Sequence, residues 1–265
     1  LKRLENATRK YWNKPALNDV GGESYTFGQM AERVEKLHDF FGRAGVKKTN
    51  HIAISAPNSA SWGMAYIAVI TYEAVVVPIL NDFTPSNVAF LTSHSEAVGL
   101  FTDAEKWASM DVKDMPGLLF AVDVENWKLL YASSEEVSAA FNGMEANFSE
   151  KFPKGMSPED VSFPEIPLDK LAMINYTSGS TGNPKGVMLT NRNFSATVDY
   201  CQYKMPVGNA IVSMLPMAHM YGLMIEFVYP VCNGTSVYWL GKAPTPAALM
   251  KAFSEVKPYL MISVP

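Results

Sequence analysis

The strongest constraint on the fold is an alternation between short, continuous apolar runs and segments with helical spacing. His51-Ile-Ala-Ile-Ser55 reads as a strand, Ala60 to Thr71 as a helix, Val75 to Leu80 as a buried strand and Val98 to Thr102 as another. Thr26 opens a T-x-x-Q capping box with Gln29. Met30, Val34, Leu37 and Phe41 then recur at helical spacing until Gly45 ends the helix. Thr84-Pro85 supplies a cap and a first-turn proline for a helix ending near His94. Val/Ile runs separated by helices indicate largely parallel strands covered on both faces, an α/β fold.

The alternation pauses from Asn142 to Asp169, a stretch rich in Pro, Glu, Ser and Gly that reads as a long surface connection. It is expected to divide the chain into an α/β subdomain 1–141, the connection 142–169 and a second α/β subdomain 170–265, forming two layers. Beyond it the spacing predicts helix Phe194 to Met205, strand Ala210 to Leu215, helix Met220 to Val231 and strand Ser236 to Leu240. Thr245-Pro246 then starts a helix to Val256, and an apolar final stretch reads as a strand. With 48% hydrophobic and 18% charged residues in 265, the chain has material for a sizeable core.

Tyr176 to Gly186, YTSGSTGNPKG, carries the chemistry. Glycines let the backbone approach a ligand closely, and successive N–H groups can then face phosphate oxygens. The hydroxyls of Thr177, Ser178, Ser180 and Thr181 add donors, Pro184 stiffens the exit, and Lys185 adds a point charge suited to polyphosphate. A flexible surface loop is the bland reading of such a composition. Placement between the apolar runs Leu171–Tyr176 and Val187–Thr190 favours a site instead. A Walker P-loop does not fit, because Pro184 falls where its second glycine belongs and Gly186 where Ser or Thr should be.

The run resembles the signature of the adenylate-forming enzymes, [YF]-T-S-G-[ST]-T-G-x-P-K-G-V, and matches it without a gap through Val187. Leu215-Pro-Met-Ala-His-Met-Tyr-Gly222 is similar to the family's next motif. Tyr25–Gln29, Ala56–Ser59 and Val76–Pro78 also sit where these enzymes have them, so the likeness covers nearly the whole chain. Within the family it looks closest to the long-chain fatty acid–CoA ligases. The resemblance implies an acyl-CoA-synthetase-like N-terminal domain, cut before the C-terminal half, whose later adenine, ribose and carboxylate motifs are missing. The chain alone is then expected to be inactive or nearly so.

By the same resemblance Thr177, Ser178, Gly179, Ser180, Thr181, Gly182, Asn183, Pro184 and Lys185 hold the β- and γ-phosphates of ATP. Thr177 is the candidate Mg²⁺ contact. Lys185 and His219 are the candidate catalytic residues, His219 near the substrate carboxylate and α-phosphate. The implied reaction joins a fatty acid to AMP and then to coenzyme A, releasing pyrophosphate and AMP. Displacement at phosphorus depends on positioning and charge, which suits a chain with no nucleophile–base pair. His38, His51 and His94 match no motif and read as structural. Glu226 is the one acid near the second motif and reads as satisfied within its helix, so no carboxylate is offered to a substrate amine. That favours a fatty or aryl acid over an amino acid. Adenylation of an aryl or amino acid, and a noncatalytic folded module, remain the alternatives.

A formal net charge of −4 argues against general nucleic-acid binding. Cys201 and Cys232 form no metal-like spacing and read as reduced core thiols. Lys2, Arg3 and Glu5 interrupt the start, which predicts no signal peptide. Tyr66 to Leu80 holds Glu73 and Pro78 and is shorter than the ~18 residues a membrane span needs. A cytoplasmic protein is expected, with peripheral contact at the inner membrane surface left open by a lipid substrate. No obligate protein partner is expected.

Overall fold

The computed structural model describes residues 1–178, 184–241 and 245–262. Its strands are β1 (Pro15–Asp19), β2 (Ser24–Thr26), β3 (His51–Ser55), β4 (Val75–Pro78), β5 (Ala97–Thr102), β6 (Phe120–Asp123), β7 (Lys128–Ala132), β8 (Leu171–Ser178), β9 (Pro184–Thr190), β10 (Ala210–Ser213) and β11 (Ser236–Trp239). They form a seven-stranded sheet, β7-β6-β5-β3-β4-β8-β9, and a four-stranded sheet, β10-β11-β1-β2. The interior pairs are parallel, and antiparallel β7, β9 and β2 close three of the four edges. The helices are α1 (Lys2–Lys10), α2 (Phe27–Arg43), α3 (Ala60–Thr71), α4 (Pro85–His94), α5 (Ala104–Trp107), α6 (Glu135–Asn142), α7 (Met144–Lys151) and α8 (Asn191–Lys204). An interrupted helical segment over 220–232 and a last helix, Pro246–Val256, follow. No described helix is long and apolar enough to cross a membrane.

Helices α2 and α3 fill the space between the sheets. Thr26 accepts from the Gln29 amide at 3.1 Å and Gln29 reaches back to Thr26, so both sides of the expected capping box are made. One side of α2 packs on β1 and β2. On the other side, Phe40 and Phe41 bring their rings to 4.8 and 5.9 Å from Phe120 of β6. Helix α3 is apolar on every side, as a helix covered on every side must be. It packs on β3 and β4, while Gly63 lets the ring of Trp239 on β11 come so near that a Cβ would stand 3.0 Å away. Ser59 caps α3 through the Trp62 amide, and the Asp19 carboxylate at the end of β1 accepts from Ala60 N–H at 3.0 Å.

Three expectations are corrected. The stretch 142–169 is not a boundary between sheets, because each sheet takes strands from both sides of it. Nor is it all loop: α7 lies along α2, with Lys36 paired to Glu145 and Asn147 bonded to Asp39, and Val161 is buried against the chain. An eight-residue helix depends on such contacts, which composition does not reveal. The final apolar stretch forms no strand among the described residues. Lys257 adopts a left-handed conformation, Pro258 has no N–H, and Tyr259 makes a single backbone bond to Ala210 at the outer edge of β10. The apolar run Val187–Thr190 suits a covered strand, but β9 is an edge strand with Val187 and Met188 exposed.

Candidate active site

The signature run forms a hairpin. Strands β8 and β9 pair antiparallel with Asn175 opposite Val187, Tyr176 opposite Gly186, Thr177 opposite Lys185 and Ser178 opposite Pro184. Gly179, Ser180, Thr181, Gly182 and Asn183 lie outside the described residues. The two ends of the predicted cradle are thus set facing each other, with Thr177 and Lys185 as directly opposed, exposed neighbours. Side chains alternate along a strand, so Thr177 shares a face with Asn175, and Tyr176 points to the other. Tyr176 meets His94 on that far side, at 2.7 Å.

The Asn175 face looks toward the second motif. Asn175 is buried, and its Nδ2 donates to the carbonyl of Ala218 at 2.8 Å. The turn after β10 is held at further points. Asn58 Nδ2 donates to the Leu215 carbonyl at 2.8 Å, and Asn58 Oδ1 accepts from Met217 N–H at 3.0 Å. Ser213 Oγ, Met214 N–H and Leu215 N–H all donate to Glu226 Oε2, each at 2.9 Å. Gly222 closes the turn, since a Cβ there would sit 2.8 Å from Leu215 Cβ and 2.9 Å from the Pro216 carbonyl. His219 caps the first helical turn with its carbonyl taken by Leu223 N–H, and its side chain is exposed.

A crevice of about 310 Å³ opens where β3, β4, β10 and β11 end, with Asn58, Asn81, Asp82, Met214 and Ala218 in its walls. Carboxyl ends of parallel strands are where open α/β sheets receive ligands. The Ala56–Ser59 and Leu215–Gly222 motifs therefore meet in this crevice, and Asn175, directly before the signature run, is bonded to the second of them.

The family model for "AMP-binding enzyme" matches residues 4–265. The chain belongs to the AMP-binding enzyme family. It is 31% identical over 225 residues to long-chain-fatty-acid–CoA ligase 1 of Cavia porcellus, covering 78% of this chain and 31% of that protein. The fold is that of the adenylate-forming enzymes. The crystal structure of the anthranilate CoA ligase AuaEII in complex with anthranoyl-AMP matches with a TM-score of 0.78 at 17% identity, over 97% of this chain and 47% of that one. ATP-bound MatB from Rhodopseudomonas palustris matches with a TM-score of 0.71 at 17% identity, over 95% and 48%. The chain spans less than half the length of the curated relatives it matches.

In this member of the family the remaining histidines have partners elsewhere: His38 Nε2 with the Ala68 carbonyl and Thr71 Oγ1, and His51 Nδ1 with the Ser95 carbonyl. Glu226 corrects the sequence reading. It is not satisfied within its own helix but reaches to the end of β10, fully buried. Burial pushes its carboxyl up from the ordinary carboxylate range, and the three donors draw it partly back. A wide π turn over Leu223–Val228 accompanies this reach. Pro230 accounts for the turn: it has no N–H for the Glu226 carbonyl and its ring crowds that oxygen. Asn58 and Asn175 were also missed as site residues, though Asn58 lies within the matched Ala56–Ser59 and Asn175 directly precedes the signature run. An Asn next to a Gly- or Pro-rich run was the available signal.

Proposed function

We propose that this chain supplies the phosphate- and carboxylate-handling part of an ATP-dependent ligase that converts a fatty acid to acyl-adenylate and then to acyl-CoA. The Asn175–Ala218 bond carries the reading, because it couples the strand entering the signature loop to the turn bearing His219. A carboxylate oxygen of the substrate attacks the α-phosphorus, the bond to the bridging oxygen breaks, and pyrophosphate leaves with the electron pair. A coenzyme A thiolate then adds to the acyl carbon and AMP leaves.

Lys185 donates to the β- and γ-phosphate oxygens, a charge-assisted contact that strengthens as charge develops on the leaving pyrophosphate. His219 orients the carboxylate against the α-phosphate from the start of the helical segment 220–232. Thr177 fits one place in the shell of Mg²⁺: its hydroxyl is an exposed hard oxygen donor directly across from Lys185. Once bound, that ion would offset charge on the phosphates.

The same helical segment walls an apolar cavity of about 400 Å³, with Ile67, Ile70, Phe194, Val198, Phe227 and Val231 among its lining. Asp199 at this cavity is paired with Arg3 at 2.8 Å, and the Glu226 carboxylate is turned to the β10 end. Neither acid is left for a substrate ammonium, which supports an apolar acid. An aryl acid is the second reading, favoured by Phe194 and Phe227 in the lining.

ATP–pyrophosphate exchange by the full-length protein, run with fatty, aryl and amino acids in turn, tests this. Exchange stimulated by fatty acids is the expected result. Stimulation by amino acids alone overturns the substrate class, and no exchange with any acid overturns the reaction.

A further inference from the structure

We infer that Glu226 is a positioning residue whose buried carboxylate fixes the turn 214–219, and through it His219, for adenylate formation. The inference rests on the proposed reaction for its functional half, and on geometry for the other. Met214 and Leu215 lie just past β10, where no neighbouring strand receives their N–H groups, and Glu226 Oε2 takes both together with Ser213 Oγ. Orphaning two half-buried amides at once is costly. The Leu215 and Ala218 carbonyls go to Asn58 and Asn175, and Asn58 Oδ1 takes Met217 N–H, so Glu226 is the acceptor that holds the start of a clamp completed by two asparagines.

Packing alone does not explain an acid here. Its neighbours Leu223, Met224 and Phe227 are apolar and equally buried, and an apolar side chain would avoid the desolvation of a carboxyl. Oε1 has no hydrogen-bond partner among the described residues, so the group is satisfied on the turn side only. Its polarity serves the turn. Two residues separate Leu215 from His219's neighbour Ala218, and a turn this short transmits a displacement of its start to its end.

The test uses Glu226→Met, Glu226→Asp and Glu226→Gln in the full-length enzyme. It follows hydrogen exchange at the Met214 and Leu215 amides, single-turnover adenylate formation and KM for ATP. The Met variant should lose protection at both amides and slow adenylate formation by about 10²-fold, the cost of misplacement by roughly 1 Å. Its KM for ATP should change little, since the β8–β9 hairpin keeps its own ladder and its pairing with β4. Glu226→Gln keeps an acceptor oxygen and should restore protection and most of the rate. If the Met variant does not fold, Glu226→Asp decides: withdrawing the carboxylate by one methylene should lower protection and rate together. Unchanged protection in the Met or Asp variant overturns the clamp. Lost protection at full rate per folded molecule overturns its role in the reaction. A wild-type protein that makes no adenylate fails the proposed reaction instead, and exchange still judges the clamp.

Discussion

Asn175 and Ala218 are joined by one buried hydrogen bond of 2.8 Å, and that bond ties the larger sheet to the turn that follows the smaller one. The consequence is a fixed spacing between the signature hairpin and His219, set by backbone and amide rather than by two mobile side chains. Asn175→Ala should leave the Ala218 carbonyl without its partner. We expect a loss of about 1–3 kcal/mol in stability by urea unfolding. In the full-length enzyme, adenylate formation should slow by more than the drop in folded fraction. A variant as stable and as fast as the wild type would show that the two motifs are aligned by other contacts.

Lys185 is exposed and faces Thr177 across the hairpin, so its loss should not disturb the fold. Lys185→Ala removes a charge-assisted phosphate contact worth about 1.5–3 kcal/mol. That corresponds to roughly 10- to 100-fold in kcat/KM for ATP. Steady-state kinetics beside a melting curve checks both halves. Unaltered ATP kinetics would reduce the lysine to a solvated charge.

His219→Ala separates a chemical role from a packing role. The imidazole is exposed, so the melting temperature should hold. Adenylate formation in a single turnover should slow by about 10²-fold, with a smaller change in ATP binding. A destabilised variant that reacts at the normal rate per folded molecule sinks the chemical reading.

Gly99 tests the aromatic layer between the sheets. A Cβ at this position would stand 2.2 Å from the Phe120 ring, and Phe120 is hemmed in by Phe40, Phe41 and Phe101. The ring has nowhere to retreat. Gly99→Ala should cost about 1–3 kcal/mol by chemical denaturation, the usual range for overpacking. A neutral result would mean that the layer repacks freely.

Asp19 makes stability depend on pH. Burial raises its carboxyl from 3.8 to about 6, the Ala60 N–H offsets part of that rise, and Glu23 and Glu125 add to it. The native state therefore binds the proton more tightly than the unfolded chain. Its contribution is full below about 3.8 and is lost as pH rises through 6. His38 runs the other way: burial lowers it from 6.5 to about 4, so its contribution is full above 6.5 and lost as pH falls through 4. Comparing Asp19→Asn with wild type isolates the first effect. The variant keeps an acceptor for Ala60 and should be the more stable at pH 7.5, with the difference shrinking toward pH 4. A difference independent of pH would remove Asp19 as its source.

Local signals were legible where one side chain decides an element's end. Helices Ala60–Thr71, Pro85–His94 and Pro246–Val256 begin where Ser59, Thr84 and Thr245 cap them, as their sequences indicate. The signature and its flanking strands were legible because a hairpin is a local structure. Which strands neighbour one another was not. Nothing in Ser236–Trp239 announces that it inserts between β10 and β1. The reach of Glu226 was hidden for the same reason: its partners lie eleven to thirteen residues earlier, and Glu226 itself sits in the π turn that Pro230 imposes. At the β10 edge, the apolar final stretch reads as a strand because hydrophobicity does not report whether a ladder partner exists.

The parallel pairing of β1 with β11 also governs how the molecule is made. Leu17 and Val237 stand opposite each other although they lie far apart in the sequence. Closing so long a loop is entropically slow, and such contacts dominate folding time. During synthesis β1 has only β2 beside it, its other edge unmatched, until Trp239 has left the ribosome. Until then that edge is open to pairing with other chains, a stage exposed to aggregation.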